Sequence, residues 1–356
     1  MHIVESFGGG VFKYIVEINR ALPIDEFQHI IVHSIDPFTP KNYKEYFNEN
    51  TEFYYINMNK KSNLFKDLRS IVSVRRLIKN TNPDAIHIHS SKAGFIGRLA
   101  CLNIKNKKQY YTPHGYSFIM TNLNKVKKWI YYTAEYFLTN IGNCSILACS
   151  KSEYRYGCKL AFRNHVFLLE NGTSMDIDPE YRWNSRMIIG IGRLVEQKSP
   201  ETFIKVIHGV KKERPDIQAM WIGDGPLKDH CQQLNGDLQT DIKFIGSLSQ
   251  IEVYKYLKDS TIFLQTSKWE GLPFTILESL ALGIPVVASN IESHCDVIVD
   301  GENGYIANDL VEYREKIVKM LNDESLANRI SYNAVKSHKS LYSIEKFQKG
   351  IEELYK

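Results

Sequence analysis

The sequence predicts an α/β chain made of two doubly wound, parallel-sheet domains in tandem. Three observations carry that prediction. Short β-branched runs alternate throughout with longer segments of helical period, the pattern of parallel βαβ units. The length of 356 residues suits about two domains at roughly 150 residues each. The turn-rich stretch Glu170-Asn171-Gly172-Thr173-Ser174 interrupts the alternation near the middle. The boundary is placed there, giving a first domain over 1–170 and a second over 171–342. The helix at about 343–356 is expected to pack back on the first.

In the first domain the β-branched runs predict strands over His2–Glu5, His29–His33, Phe53–Ile56, Ala85–His89, Gln109–Thr112, Ser145–Cys149 and Val166–Leu169. Helical periodicity fits Leu64–Lys79, Gly94–Leu102, Val126–Thr139 and Ser152–Leu160 between them. In the second domain the strands are Met187–Ile191, Gln218–Ile222, Ile242–Ile245, Thr261–Leu264, Pro285–Ala288 and Gly304–Ile306. Sheets of this kind bind ligands at the carboxyl ends of their strands. Two of them facing each other across a hinge would form a cleft.

Composition excludes several classes. With 43% hydrophobic and 24% charged residues, the chain is neither disordered, collagen-like nor coiled coil. Its apolar runs are too short for a membrane span of ~18 residues, and Ala281–Ala288 is broken by Gly283 and Pro285. Met1-His2-Ile3-Val4-Glu5 lacks the basic and apolar regions of a signal peptide. The six cysteines are scattered, without C-x-x-C or a Cys/His cluster, and read as reduced thiols of a cytoplasmic protein.

Charge is uneven. Residues 1–170 carry 23 Lys+Arg against 13 Asp+Glu, a net +10, and the remainder 22 against 27, a net −5. From Leu99 to Ala134 there is no acid but six lysines, at 105, 107, 108, 125, 127 and 128, followed by Trp129, Tyr131 and Tyr132. Two readings stand: a solvated basic face, or a surface that docks peripherally on anionic lipid headgroups. No nucleic-acid motif accompanies the patch, so no nucleic-acid partner is expected.

Three motifs carry chemistry. Ser6-Phe7-Gly8-Gly9-Gly10 follows the first strand. It fits a plain tight turn, or a close backbone approach to an anion ahead of a helix. It is not G-x-G-x-x-G, and the acid of the dinucleotide pattern is missing. Gly190-Ile191-Gly192-Arg193 through Lys198-Ser199-Pro200 follows the first strand of the second domain. Pro200 suits a helix start, so Arg193 and Lys198 stand above a helix N-terminus. They are either two surface cations or a fork and a point charge for a diphosphate. The third motif is Ser267-Lys268-Trp269-Glu270-Gly271-Leu272-Pro273 followed by Phe274–Val287. It sets Glu270 in a Gly/Pro loop and Glu278 one turn into a helix starting near Phe274. Free N–H groups at that helix start favour an anion. The carboxylates beside them suit a ligand's hydroxyls. A dipole-complementing role accounts for Glu278 but not for Glu270 in its loop.

This third stretch resembles the E-x7-E motif of retaining glycosyltransferases with the GT-B fold, most closely family 4 (glycosyltransferase group 1). Glu278, Ala281, Gly283, Pro285 and Val286 continue the match. The G-x-G-R-L…K loop, Gly223-Asp224-Gly225-Pro226, Thr112-Pro113-His114-Gly115 and His87-Ile88-His89-Ser90-Ser91-Lys92-Ala93-Gly94 fit as well. The resemblance runs in order over nearly the whole chain, and points to the branch that builds capsular polysaccharide, O-antigen or other bacterial surface glycans.

The resemblance implies two Rossmann-like domains, the second holding a nucleotide sugar and the first the acceptor. Arg193 and Lys198 would bind the donor diphosphate, assisted by backbone amides of Phe274 and Thr275 and by the Gly192 and Gly223 turns. Glu278 would accept from the ribose hydroxyls, and Glu270 would hold hydroxyls of the transferred sugar. The base would meet backbone near Ile245. Gly9 and Gly10 would close on the phosphates. His114 would lie near the anomeric carbon, and His89 and Lys92 on the acceptor side, though His89 at its strand end reads equally well as a structural histidine. The implied activity is hexosyl transfer from a UDP-sugar to a lipid-linked oligosaccharide or glycan acceptor, at the cytoplasmic face of the inner membrane, with no metal or other cofactor. The D-x-D of Asp176-Ile177-Asp178 falls in the linker and is not expected to bind a metal. The alternatives are an isomerase of the same fold, like UDP-N-acetylglucosamine 2-epimerase, and a non-catalytic partner subunit. The E-x7-E spacing opposes the first, and the filled polar positions oppose the second.

Overall fold

The computed structural model describes residues 1–58, 63–173 and 181–356. The chain divides into two compact units. Unit 1 comprises Met1–Asn171 with Glu345–Lys356, and unit 2 comprises Gly172–Ile344. Asp176 and Asp178 lie outside the described residues.

Unit 1 runs β1 (His2–Val4), α1 (Gly9–Ala21), β2 (Ile30–His33), β3 (Glu52–Tyr55), α2 (Leu64–Thr81), β4 (Ala85–His89), α3 (Ser91–Ala100), β5 (Lys108–Thr112), α4 (Lys125–Asn140), β6 (Ser145–Ala148), α5 (Lys151–Leu160) and β7 (Val166–Leu168). Its seven strands lie in the order β3-β2-β1-β4-β5-β6-β7, all parallel. Local chemistry sets the helix ends. The Asn63, Asn124 and Ser150 side chains accept from the backbone N–H groups three residues on, at Lys66, Lys127 and Glu153, satisfying donors that a helix start leaves open. Asn82 ends α2 in the left-handed conformation, which asparagine tolerates better than most residues. The core packs Ile3, Val32, Ile86, Ile88, Tyr111 and Ile146 between sheet and helices.

Unit 2 runs β8 (Met187–Ile191), α6 (Pro200–Glu213), β9 (Gln218–Ile222), α7 (Lys228–Asp237), β10 (Lys243–Gly246), α8 (Gln250–Lys258), β11 (Ile262–Gln265), α9 (Phe274–Ala281), β12 (Val286–Ser289), α10 (Glu292–Cys295), β13 (Tyr305–Ala307), α11 (Leu310–Asn322) and α12 (Glu324–Leu341). Its parallel sheet has the order β10-β9-β8-β11-β12-β13. Pro200 begins α6, and Ser249 with Glu252 forms a capping box on α8.

The last helix, α13 (Ile344–Tyr355), belongs almost wholly to unit 1. Phe347 and Ile351 are buried, and the Leu354 carbonyl accepts from the Tyr110 hydroxyl at 2.7 Å. The strand and helix ends otherwise differ from the sequence reading by a residue or two. The exception is α3, which starts at Ser91 rather than Gly94.

Strand order reverses between β1 and β4 in unit 1 and between β8 and β11 in unit 2. At such a switch point neighbouring connections leave on opposite faces, which opens a crevice beyond the strand ends. The glycine run follows β1, the Gly192–Lys198 loop follows β8, and the Glu270 loop follows β11. The motifs read from sequence therefore fall at the two switch points.

Candidate active site

In unit 2 two glycine turns interlock. Gly192 has φ +153° and Gly223 φ +128°, a region that side chains avoid. A Cβ on Gly223 would lie 2.1 Å from the Gly192 carbonyl oxygen, and one on Gly225 2.5 Å from that of Leu194. With no side chains between them, the loops bond directly. Leu194 N–H donates to the Asp224 carbonyl at 3.0 Å, and Leu227 N–H to that of Leu194 at 3.0 Å. Gly223 N–H donates to the Gly246 carbonyl at 2.8 Å, which ties in β10 next to Ile245.

This frame delivers Lys198 to Glu270. Nζ lies 2.5 Å from Oε1, with the side chains 16% and 9% exposed. Glu270 also accepts from Ser267 Oγ at 2.7 Å and from Gln197 Nε2 at 3.3 Å. Thr266 Oγ1 holds the Lys198 carbonyl at 3.0 Å, and Lys268 N–H donates to the Gln197 carbonyl at 2.8 Å, so the β8 and β11 loops are laced together. On this half-buried carboxylate a cation and hydrogen-bond donors take the place of water. Arg193 stands half-buried in the same loop.

Helix α9 begins directly after Pro273, with no side-chain cap, and carries Phe274 and Thr275 in its first turn. Glu278, one turn on, is buried and accepts from the Tyr254 phenolic hydroxyl at 3.2 Å. Three residues here escaped the sequence reading. Gln197 sits inside the 190–200 loop without an expected role, Tyr254 belongs to no motif, and partner choice between loops and helices leaves no sequence signal. His294 on α10 is the third. Its Nδ1 lies 3.1 Å from Ser289 Oγ, Ser289 in turn donates to the Ser267 carbonyl at 2.5 Å, and its Nε2 is buried without a partner. Burial pushes this imidazole down to about 4, with Glu270 opposing the shift.

In unit 1, Gly9 has φ +59° and is exposed with Gly10 at the start of α1. A Cβ on Gly8 would meet the Phe38 carbonyl oxygen at 2.7 Å, so packing alone requires a glycine there. His114 follows β5 with φ +52°, an uncommon conformation for a residue with a side chain. Glu153 braces it. Its carboxylate accepts from Gly115 N–H and, at 3.1 Å, from Cys149 N–H.

The two residues expected on the acceptor side have partners within unit 1. His89 has no exposed surface, and its Nδ1 lies 3.2 Å from His114 Nε2. Of its two readings, this burial on an inner strand suits the structural one. Lys92 is held by Asp67 on α2 at 2.6 Å, so its ammonium is already paired within unit 1. Among the described residues the metal-ligating side chains that come together are His2, His87 and His89, all buried. They belong to unit 1, whereas Glu270 belongs to unit 2.

The fold, two Rossmann-like sheets, and the carboxylate–lysine site at a switch point define a GT-B glycosyltransferase. Residues 177–337 match the family model of glycosyl transferases group 1, and residues 8–176 match that of glycosyltransferase family 4. The chain belongs to this group of glycosyltransferases, and both models being transferases does not favour the epimerase. It is 26% identical to the UDP-Gal:alpha-D-GlcNAc-diphosphoundecaprenol alpha-1,3-galactosyltransferase of Escherichia coli, covering 97% of this chain and 93% of that one. It is 25% identical to the capsular polysaccharide biosynthesis glycosyltransferase CapM of Staphylococcus aureus, covering 96% of each. Among solved structures, sucrose-phosphate synthase from Thermosynechococcus elongatus superposes with a TM-score of 0.83 at 15% identity, over 99% of this chain and 97% of that one.

Proposed function

We propose that this transferase moves a hexose-type sugar from a UDP-sugar to a lipid-linked or glycan acceptor, with retention of configuration, in the synthesis of capsule, O-antigen or a related surface glycan. The observation that carries the reading is Glu270, half-buried and held by Lys198 and Ser267 next to the α9 N-terminus. The name of the Escherichia coli relative, with its UDP-Gal donor and diphosphoundecaprenol-linked acceptor, supports the donor and acceptor classes, and that of CapM supports capsule synthesis.

In this reading Arg193, Lys198 and the α9 amides of Phe274 and Thr275 take the donor diphosphate. Gly192 and Gly223 let it approach, Ile245 offers backbone to the base, and Glu278 takes the ribose. Glu270 takes sugar hydroxyls, while His114, Gly9 and Gly10 serve the reacting end. The bond from anomeric carbon to phosphate oxygen breaks, and its electron pair leaves with the nucleoside diphosphate. The acceptor hydroxyl oxygen bonds to that carbon on the same face, and its proton passes to the departing phosphate. Fixed cations and helix N–H groups stabilise the charge that develops on the leaving group. The cationic character at carbon parallels glycoside hydrolysis. The phosphate-binding work falls to these side chains rather than to a divalent metal.

A thermal-shift panel of UDP, GDP, dTDP and ADP tests the donor. A nucleotide at ~100 times its Kd stabilises by about 2.7 kcal/mol. A shift selective for UDP is expected. A shift with GDP or dTDP alone would overturn the donor, and no shift with any of them would overturn the site. Anomeric NMR of the product decides retention.

The peripheral membrane contact is part of the proposal. On α4, Val126, Trp129, Ile130, Tyr131 and Phe137 are exposed beside Lys125 and Lys127. On α2, Leu64, Phe65, Leu68 and Val72 are exposed beside Arg69 and Arg76. Apolar side chains flanked by cations complement an anionic bilayer. No helix among the described residues is long and apolar enough to cross a membrane. Flotation with anionic vesicles is expected to carry the protein at low salt; failure to float would sink this contact.

A further inference from the structure

Unit 1 buries a web of imidazoles on one face of its sheet. Parallel pairing sets His2 opposite His87 and Val4 opposite His89, so His2, His87 and His89 share a face. Three imidazoles together first suggest a metal. Proton accounting argues otherwise. Thr112 Oγ1 donates its one proton to the Leu147 carbonyl at 2.8 Å. It can therefore only accept from His87 Nε2, which lies 2.8 Å away. His87 is then protonated at Nε2, and its Nδ1 accepts from the Tyr355 hydroxyl at 2.6 Å. Both its nitrogens are engaged, and a metal would have to break one of these bonds.

The remaining contacts form a line. His2 Nδ1 lies 3.1 Å from His89 Nε2, and His89 Nδ1 lies 3.2 Å from His114 Nε2. Burial holds all three imidazoles below their ordinary range, His114 down to about 3, so each is neutral and has one N–H and one lone pair. In a neutral chain every link needs one donor and one acceptor. If His114 donates through Nε2, His89 must donate through Nε2 and His2 must carry its proton there too. If the sense reverses, all three carry it on Nδ1.

We infer that His2, His89 and His114 are one tautomer-locked chain, in which His89 and His2 are positioning residues that decide whether His114 Nδ1 presents a proton or a lone pair. Packing keeps the line in register. The His89 ring lies within 24° of parallel to both partners with centroids 5.4 Å apart, and Tyr14 meets His114 edge-on at 4.8 Å. The consequence for transfer rests on the proposed place of His114 beside the donor sugar. The chain itself does not.

Long-range 1H–15N correlation spectra of the full chain, labelled at histidine and recorded near neutral pH, test it. The expected result is one common tautomer for His2, His89 and His114, with His87 as the Nε2–H reference. Opposite tautomers within the three, or zinc bound by them in metal analysis of the purified protein, would overturn the chain. In His2→Phe, His114 should become a mixture of tautomers while the amide spectrum is kept; an unchanged His114 tautomer would overturn the coupling. Should that variant not fold, the wild-type spectrum still decides. In the folded variant kcat should fall about tenfold, the equivalent of one neutral hydrogen bond, with the donor KM unchanged. A lost tautomer lock with unchanged kcat would refute the place given to His114 and leave the chain standing.

Discussion

The two units share strand alternation, parallel sheets and a switch point, yet they fill the loops there with opposite chemistry. Unit 2 uses charge held by glycine turns: Lys198 on Glu270, with Gly192, Gly223 and Gly225 letting backbone meet backbone. Unit 1 uses neutral imidazoles and aromatic rings held by β1, β4 and α13, and places its surplus cations on outer helices. The contrast suits a division of labour, in which one unit stabilises phosphate charge and the other presents a polar, uncharged environment. It also makes the units differ in what breaks them.

Acid should separate them most. His2, His29, His87, His89 and His114 in unit 1 are held below 6.5 by burial, His29 at about 4, against His294 in unit 2. A histidine with a depressed folded pKa binds fewer protons folded than unfolded. Its stability contribution is therefore complete above about 6.5 and is lost as pH falls towards its folded value. One shift of about 2.5 units is worth roughly 3 kcal/mol, so unit 1 should lose several kcal/mol. Hydrogen exchange during unfolding at pH 4.5 should show unit 1 opening first, and the reverse order would break the comparison.

Next in size is the charged site. Glu270→Gln should lower turnover by about a thousandfold, or roughly 4 kcal/mol of barrier, with the circular dichroism spectrum kept. Retention of most of kcat would reject its role. The glycines give a graded pair. Gly223→Ala forces a Cβ to 2.1 Å from a carbonyl and should cost about 3 kcal/mol in urea unfolding. Gly9→Ala meets open space and only the φ of +59°, costing about 1 kcal/mol. Equal losses would mean that the two glycine loops are built alike. Smallest of all, Trp129→Ala on the exposed face of α4 should change stability by less than about 0.5 kcal/mol and leave turnover on a soluble acceptor unaltered, while vesicle flotation weakens.

Much of this architecture was legible in the residues. Alternating β-branched and helical segments require parallel sheets, because each strand must be followed by a helix that returns the chain. The turns at Gly192 and Gly223, Pro200 at a helix start, and the Glu270 and Glu278 spacing locate the site, since only certain residues satisfy those backbone and charge demands. For His89 the sequence left two readings open, for a definite reason. A histidine at a strand end reads the same whether its neighbours leave it open or cover it, and here α1, α13 and the His114 turn cover it. Gln197, Tyr254 and His294 gave no signal because their partners come from loops distant in sequence.

Local sequence thus determined the backbone: its element types, its tight turns and the carboxylates placed beside a helix start. Those choices depend on dihedral freedom, periodicity and capping within a few residues. Only tertiary structure decided which side chains pair. Lys198 reaches Glu270 because β8 and β11 are neighbours in the sheet, and His2 reaches His114 because β1, β4 and β5 lie side by side. Hydrogen-bond partners, burial and the protonation it enforces arise from strand order, and strand order joins residues that the chain keeps far apart.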